Sequence, residues 1–261
     1  MRVTFGRSRH PLSTLDLAGR VEAVGARVRR VRPGDDVVAT CSGACAEYAA
    51  APEGWVALKP ADLTFEQAAA IPTSAFAALH GLRDAGGVRP GHRVLINGAS
   101  GGVGTFAVQI AKSLGAEVAG VCSTKNVEMV HSLGADHVVD YTREDFTRSG
   151  RTYDVILDNV GNRPFADVRR ALAPKGRLIP NSGHAGMGYV LRALARSAFV
   201  RQQGRPCVST PNDKDLVVLT ELAGSGKLTP VVDRAYPLSE TSEALRYLGE
   251  RHARGKVVIV L

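Results

Sequence analysis

The sequence predicts an α/β protein, a doubly wound parallel sheet accompanied by a smaller all-β unit. Three observations carry that expectation. From Arg93 to about Pro206, apolar runs alternate with helical stretches, the pattern of crossover connections in a parallel sheet. A glycine cluster, Gly98 to Gly104, stands at one strand-to-helix joint of that region. From about Asp16 to Pro60, short β-like runs are broken by Gly, Pro and Asp, which reads as a separate β unit.

Taken in order, Gly19-Arg-Val-Glu-Ala-Val, Pro33-Gly-Asp-Asp-Val-Val-Ala and Ala46-Glu-Tyr-Ala-Ala are the strands of the β unit. Val94-Leu-Ile is a short buried strand. Val103, Phe106, Ala107, Ile110, Ala111 and Leu114 then recur at steps of three and four, one face of a helix, which Gly115 ends as a left-handed cap. Val118-Ala-Gly-Val is the next strand, followed by a helix near Asn126–Leu133 and a strand at His137-Val-Val. Tyr153-Asp-Val-Ile-Leu-Asp and Arg177-Leu-Ile supply two more strands, and the last fifty residues mix helices with Pro230-Val-Val and Lys256-Val-Val-Ile-Val.

Composition narrows the function. With 261 residues, 44% hydrophobic and 22% charged, the chain can bury a substantial core. No apolar run approaches the roughly 18–20 residues that cross a bilayer, and no apolar segment follows the basic start, so neither a membrane span nor a secretory signal is expected. Four scattered cysteines, Cys41, Cys45, Cys122 and Cys207, make no disulfide framework, which suggests a cytoplasmic protein. Lys and Arg number 33 against 25 acids, a net charge of +8. Such a surplus is either solvated surface or attraction to an anion. Its densest cluster, Arg27, Arg29, Arg30 and Arg32, has no interleaved aromatics for base stacking, which disfavours nucleic acid as a partner. The seven histidines lie in unrelated contexts without a neighbouring nucleophile, so hydrolase chemistry has no support.

The segment Asn97-Gly-Ala-Ser-Gly-Gly-Val-Gly carries the chemistry. A pyrophosphate needs backbone N–H groups at hydrogen-bonding distance, and side chains would block that approach. Glycines at 98, 101 and 104 leave it open, and the helix start adds about half a positive charge. Ser100, Gly101, Gly102 and Val103 are therefore candidate cofactor-binding residues. In an NAD-binding chain an acid ends the second strand and holds the ribose hydroxyls. Here that stretch reads Cys122-Ser-Thr-Lys-Asn, with no carboxylate before Glu128. Ser123, Thr124 and Lys125 suit the 2′-phosphate of NADP instead.

These segments, together with Gly19-Arg-Val-Glu-Ala-Val-Gly, Pro33-Gly-Asp-Asp-Val, Ala68-Ala-Ala-Ile-Pro, Leu133-Gly-Ala-Asp, Asp158-Asn-Val-Gly and Gly255-Lys-Val-Val, resemble the medium-chain dehydrogenase/reductase superfamily. The likeness is to its zinc-independent, quinone oxidoreductase-like branch and runs over nearly the whole chain. It implies a Rossmann domain, residues 76–209, inserted into a partial GroES-like catalytic domain made of residues 1–75 and 210–261. It further implies that Tyr141 helps hold the 2′-phosphate, that Asn159 and Val160 pass the nicotinamide ribose, and that Ser182 and Gly183 lie near the nicotinamide ring. No catalytic residue is assigned. A threonine common near the nicotinamide is matched by Ala77, and Thr73 and Ser74 lie at the wrong spacing to replace it.

The zinc ligand of related alcohol dehydrogenases falls on Leu15, and Cys41 and Cys45 have no second pair, so no metal is expected. Without that Lewis acid, the acceptor must delocalise its own developing charge, as quinones and α,β-unsaturated carbonyls do. The expected function is NADPH-dependent reduction of such acceptors. The alternative is a catalytically impaired NADP-binding module, because a segment that family members carry before the start of this chain supplies strands and substrate-side groups. Its absence is expected to leave strand edges and apolar surface exposed. The physiological substrate and the oligomeric state stay open, a homodimer being common among relatives.

Overall fold

The computed structural model describes residues 2–3, 15–181, 202–250 and 253–261. The chain divides into two compact units, Met1–Phe76 with Thr210–Leu261, and Ala77–Ser209.

In the first unit, the described residues form a five-stranded sheet in the order β4-β1-β2-β3-β5. Its strands are β1 (Arg2–Val3), β2 (Asp16–Val21), β3 (Asp36–Thr40), β4 (Tyr48–Ala49) and β5 (Val56–Leu58). β2 and β3 pair antiparallel from Asp16 opposite Thr40 to Arg20 opposite Asp36. Gly34, at φ +93°, supplies the left-handed residue of the turn between them. Alternate residues turn Leu17, Val21, Val37, Ala39 and Val56 into one core cluster. The expected strand at Ala46-Glu-Tyr-Ala-Ala shrinks to Tyr48–Ala49.

The helices α1 (Phe65–Ala69) and α2 (Pro72–Leu79) follow, the first opened by a reciprocal Thr64–Gln67 capping box. The Asp16 carboxylate accepts from the Thr73 amide at 2.9 Å and the Thr73 hydroxyl at 2.5 Å. It also faces Lys256 Nζ at 3.2 Å, and that ammonium reaches Ser74 Oγ at 3.0 Å. Thus both hydroxyls near Ala77 are held within this network.

Among the described residues, the second unit holds one six-stranded sheet, every pairing in it parallel, in the order β11-β10-β9-β6-β7-β8. The strands are β6 (Arg93–Asn97), β7 (Glu117–Cys122), β8 (His137–Asp140), β9 (Tyr153–Asp158), β10 (Leu172–Pro180) and β11 (Gln203–Gly204). This is the Rossmann arrangement, with the order reversing next to β6. Helices α3 (Gly102–Ser113), α4 (Val127–Ser132) and α5 (Phe165–Val168) lie in its connections. Leu95, Ile96, Ile156, Leu157, Leu178 and Ile179 are fully buried, as strands covered on both faces require.

The chain returns to the first unit with α6 (Asp213–Gly224), capped by Asn212, and with strands β12 (Val232–Pro237) and β13 (Lys256–Val260) around α7 (Thr241–Gly249). The strand expected at Pro230-Val-Val begins two residues later, at Val232. Pro230 has no amide to donate, and β12 and β13 form a two-stranded ribbon whose half-exposed residues need no continuous apolar run. The ladder shifts register between Val232 and Arg234, and the intervening Asp233 carboxylate accepts from Tyr247 Oη at 2.6 Å.

Apolar exposure in this unit gathers on a cavity of about 460 Å³ lined in part by Leu15, Phe65, Leu245, Leu248 and Leu261. The arginine cluster is partly neutralised. Arg30 pairs with Asp213, Arg32 lies 3.5 Å from Asp35, and Arg29 donates to the carbonyls of Ala26 and Val28. No helix among the described residues is long and apolar enough to cross a membrane.

Candidate cofactor site

Parallel strands end level with one another, and here the register brings four strand ends to one edge. Asn97 of β6 stands opposite Val121 of β7 and Asp158 of β9, while Cys122 of β7 stands opposite Asp140 of β8. The loops beginning at Gly98, Ser123, Tyr141 and Asn159 therefore leave the sheet side by side, at the carboxyl edge where such sheets bind ligands.

The first loop is shaped by its glycines, each for a different reason. Gly98, at φ +79°, has room for no side chain, because a Cβ would come within 2.8 Å of Val160 Cγ2. A Cβ on Gly104 would lie 2.0 Å from the Gly98 carbonyl oxygen. At Gly101 the backbone is extended and, among the described residues, a Cβ would meet only the Gly98 oxygen, at 3.6 Å. The described residues thus place no steric demand for glycine at this position. It is also the N-cap of α3, and no side chain caps that helix. The first-turn amides of Gly102 and Val103 keep their N–H groups and the positive end of the helix dipole for a ligand.

In the second loop, Thr124–Asn126 form one turn of 3₁₀ helix. Lys125 is exposed and makes no ion pair among the described residues. Thr124 is engaged within the protein. Its hydroxyl donates to Asp140 Oδ2 at 2.6 Å, so its one proton is committed within the protein. The hydroxyl of Thr142 takes the other oxygen of Asp140 at 2.8 Å. The bond from Thr124 first, then those from Thr142, hold the Asp140 carboxyl below its ordinary range against the opposing effect of burial. Arg143 lies 3.5 Å away and offsets part of this negative charge. The acid that the sequence lacks at the end of β7 therefore arrives from β8, behind Thr124.

Tyr141 follows Asp140 with its amide on the Cys122 carbonyl at 3.0 Å, which sets it beside the start of the second loop, 59% exposed as a residue. In the fourth loop, Asn97 Nδ2 donates to buried Asp158 Oδ1 at 2.8 Å, and the amides of Val160 and Gly161 turn onto the same oxygen at 3.1 and 2.9 Å. This bracket fixes Asn159 and Val160. Asn159 Oδ1 accepts from Asn181, whereas its buried Nδ2 has no partner among the described residues. Ser182 and Gly183 lie outside the described residues.

The sequence reading missed Asp140, Asn126 and the Asn97–Asp158 pair. Only the last had a signal, a polar residue ending each of two apolar strands that become neighbours. Three of the four thiols are deactivated by burial. Burial above all pushes Cys41, Cys122 and Cys207 up to about 11. Iodoacetamide at pH 7.5 is expected to label the folded protein at Cys45 alone, with the other three thiols reacting after unfolding; peptide mass mapping checks this.

Comparison with known proteins agrees with this architecture. The family described as "Zinc-binding dehydrogenase" matches residues 133–259. The chain is 33% identical to the chloroplast envelope quinone oxidoreductase homolog of Arabidopsis thaliana, over 94% of this chain and 78% of that protein. It is 34% identical to the NADPH-dependent alkenal/one oxidoreductase of the same plant, over 98% and 66%. The quinone oxidoreductase structure from Coxiella burnetii superposes with a TM-score of 0.83 at 28% identity, over 95% of this chain and 78% of that one. Fold and comparisons together define an oxidoreductase with a nucleotide-binding domain. The chain belongs to the quinone oxidoreductase-like branch of the medium-chain dehydrogenase/reductase superfamily.

Proposed function

We propose that the protein is an NADPH-dependent oxidoreductase that reduces quinones or α,β-unsaturated carbonyls without zinc. The observation that carries this reading is the carboxyl edge itself, where, among the described residues, an uncapped helix start, an unobstructed glycine and an unpaired Lys125 occur together. The residues fit a dinucleotide at each point. Gly101–Val103 would take the pyrophosphate, and Ser123, Lys125 and Tyr141 the 2′-phosphate. The loop of Asn159 and Val160, fixed on Asp158, would pass the nicotinamide ribose. When bound, the cofactor supplies a hydride; the chain's own residues hold and orient it. The alkenal/one and quinone reductases among the relatives support the acceptor class.

Zinc independence belongs to the same proposal. Leu15 stands at the ligand position, and the described residues contain no group of three metal-ligating side chains. Cytoplasmic residence is proposed from the cysteine pattern.

One observation favours the second reading, a cofactor-binding module with weak catalysis. The only hydroxyls close in sequence to Ala77 on its helix, Thr73 and Ser74, are held by Asp16 and Lys256. An NADPH-consumption screen over quinones and enones separates the two. Turnover with any acceptor, faster with NADPH than NADH, is expected; tight NADPH binding without turnover establishes the second reading, and no binding of either dinucleotide removes both.

A further inference from the structure

We propose that Asn126 is a positioning residue that fixes the direction of hydrogen bonding at both anionic subsites, holding Ser100 and Ser123 as donors toward the cofactor's phosphates. The inference rests on the cofactor reading above and deepens it. Asn126 occupies the N-cap position of α4, yet its side chain does not cap that helix. It is 6% exposed, and its Nδ2 reaches Ser100 Oγ at 3.0 Å and Ser123 Oγ at 3.3 Å. One side-chain amide thus joins the glycine loop to the loop after β7.

The chemistry of the three groups sets the polarity. An amide nitrogen only donates, so both serine oxygens act as acceptors toward Asn126. Each serine has one proton, which this arrangement leaves for an outside acceptor. Both serines are half-exposed, and no further protein partner among the described residues takes that proton. The reversed amide would present Oδ1, draw both protons inward and leave two buried N–H donors without partners. The arrangement found leaves only one acceptor, Oδ1, buried and unpartnered. An unmet acceptor is the lesser penalty, and it is retained here beside two hydroxyls facing the places assigned to phosphates. The threonines of the same strip have the opposite polarity, since Asp140 takes the protons of Thr124 and Thr142. The strip therefore sorts its hydroxyls: two donate outward and two are committed inward.

The test is fluorescence titration of the full chain with NADPH and NADH. Asn126→Asp keeps the shape and reverses the polarity, because a carboxylate accepts from both serines. NADPH affinity is expected to fall by about tenfold or more, and the NADPH-to-NADH ratio to fall with it. The loss should shrink as pH drops and the introduced carboxylate takes up a proton, a profile that a merely structural role would not produce. Asn126→Ala is expected to weaken NADPH in the wild-type background and to add nothing in a Ser100→Ala/Ser123→Ala background. Should the Asn126→Asp chain fail to fold, Ser123→Ala carries the test, with NADPH weakened about fivefold and NADH unchanged. Wild-type NADPH affinity and selectivity in Asn126→Asp, or equal losses from Asn126→Ala in both backgrounds, would overturn the assignment while leaving the cofactor reading standing. A wild-type chain that binds neither dinucleotide overturns both.

Discussion

Gly101→Val is expected to fold and to lose dinucleotide binding, NADPH and NADH alike, by about a hundredfold or more. The backbone at Gly101 is extended, φ −86° and ψ 178°, so a β-branched residue adopts it without strain. Among the described residues its Cβ would meet nothing closer than the Gly98 oxygen at 3.6 Å, an ordinary van der Waals contact. The folding penalty is confined to a poorer helix cap, about 1 kcal/mol, which shifts the melting temperature by roughly 2–4 °C in a chain of this size. The isopropyl group is expected to crowd the first-turn amides of α3, where an anion must come within about 3 Å of the N–H groups.

Gly104→Ala provides the contrast. Its added carbon lies 2.0 Å from the Gly98 oxygen and 2.7 Å from the Ala99 backbone, so the loop and the helix must separate. That overpacking is expected to cost about 3 kcal/mol of stability, read as a large fall in melting temperature. Calorimetry and titration on the two variants together check the assignment. A Gly101→Val protein that binds NADPH normally would show that the loop is not the site.

That division of labour among the glycines shows what a sequence can and cannot disclose. The glycine spacing, the strand before it and the helix after it were legible because local periodicity and composition carry them. So were the apolar strands of the six-stranded sheet, whose runs match β6 to β9 closely and fall within β10, where Arg177-Leu-Ile is part of Leu172–Pro180. The level strand ends were not, because register is set by which strands become neighbours. Asp140 illustrates the consequence. In the sequence it ends the strand after the one that leads into Thr124, and only the pairing of Cys122 with Asp140 brings the carboxylate behind that hydroxyl. The sequence alone therefore presents Thr124 as a phosphate donor, with no sign of the Asp140 bond its hydroxyl makes in the fold. Asn126 was illegible for a related reason. At a helix N-cap, Asn ordinarily bonds its own helix, and nothing local announces that this one reaches Ser100, 26 residues away.

Lys125→Glu is expected to abolish the preference for NADPH. Lys125 is exposed and unpaired, so the substitution leaves the fold within about 0.5 kcal/mol of the original. The 2′-phosphate carries a charge of about −1.5 to −2 at neutral pH, by analogy with other phosphomonoesters. Replacing an ammonium beside it by a carboxylate removes an attraction and installs a repulsion of similar size. For exposed charges about 4 Å apart, each unit pair contributes about 1 kcal/mol before salt screening. The combined change is about 2–3 kcal/mol, or roughly 30- to 150-fold in the NADPH dissociation constant. NADH has a hydroxyl where NADPH has the phosphate, so its affinity should move by less than about threefold and in the favourable direction, because a carboxylate can accept from the ribose hydroxyls. Salt supplies an independent control. Raising the ionic strength should weaken NADPH binding in the wild-type chain and strengthen it in the variant, while NADH stays nearly level in both. Equal losses for the two cofactors would remove Lys125 from the 2′-phosphate and leave the choice of cofactor to Tyr141 and Ser123.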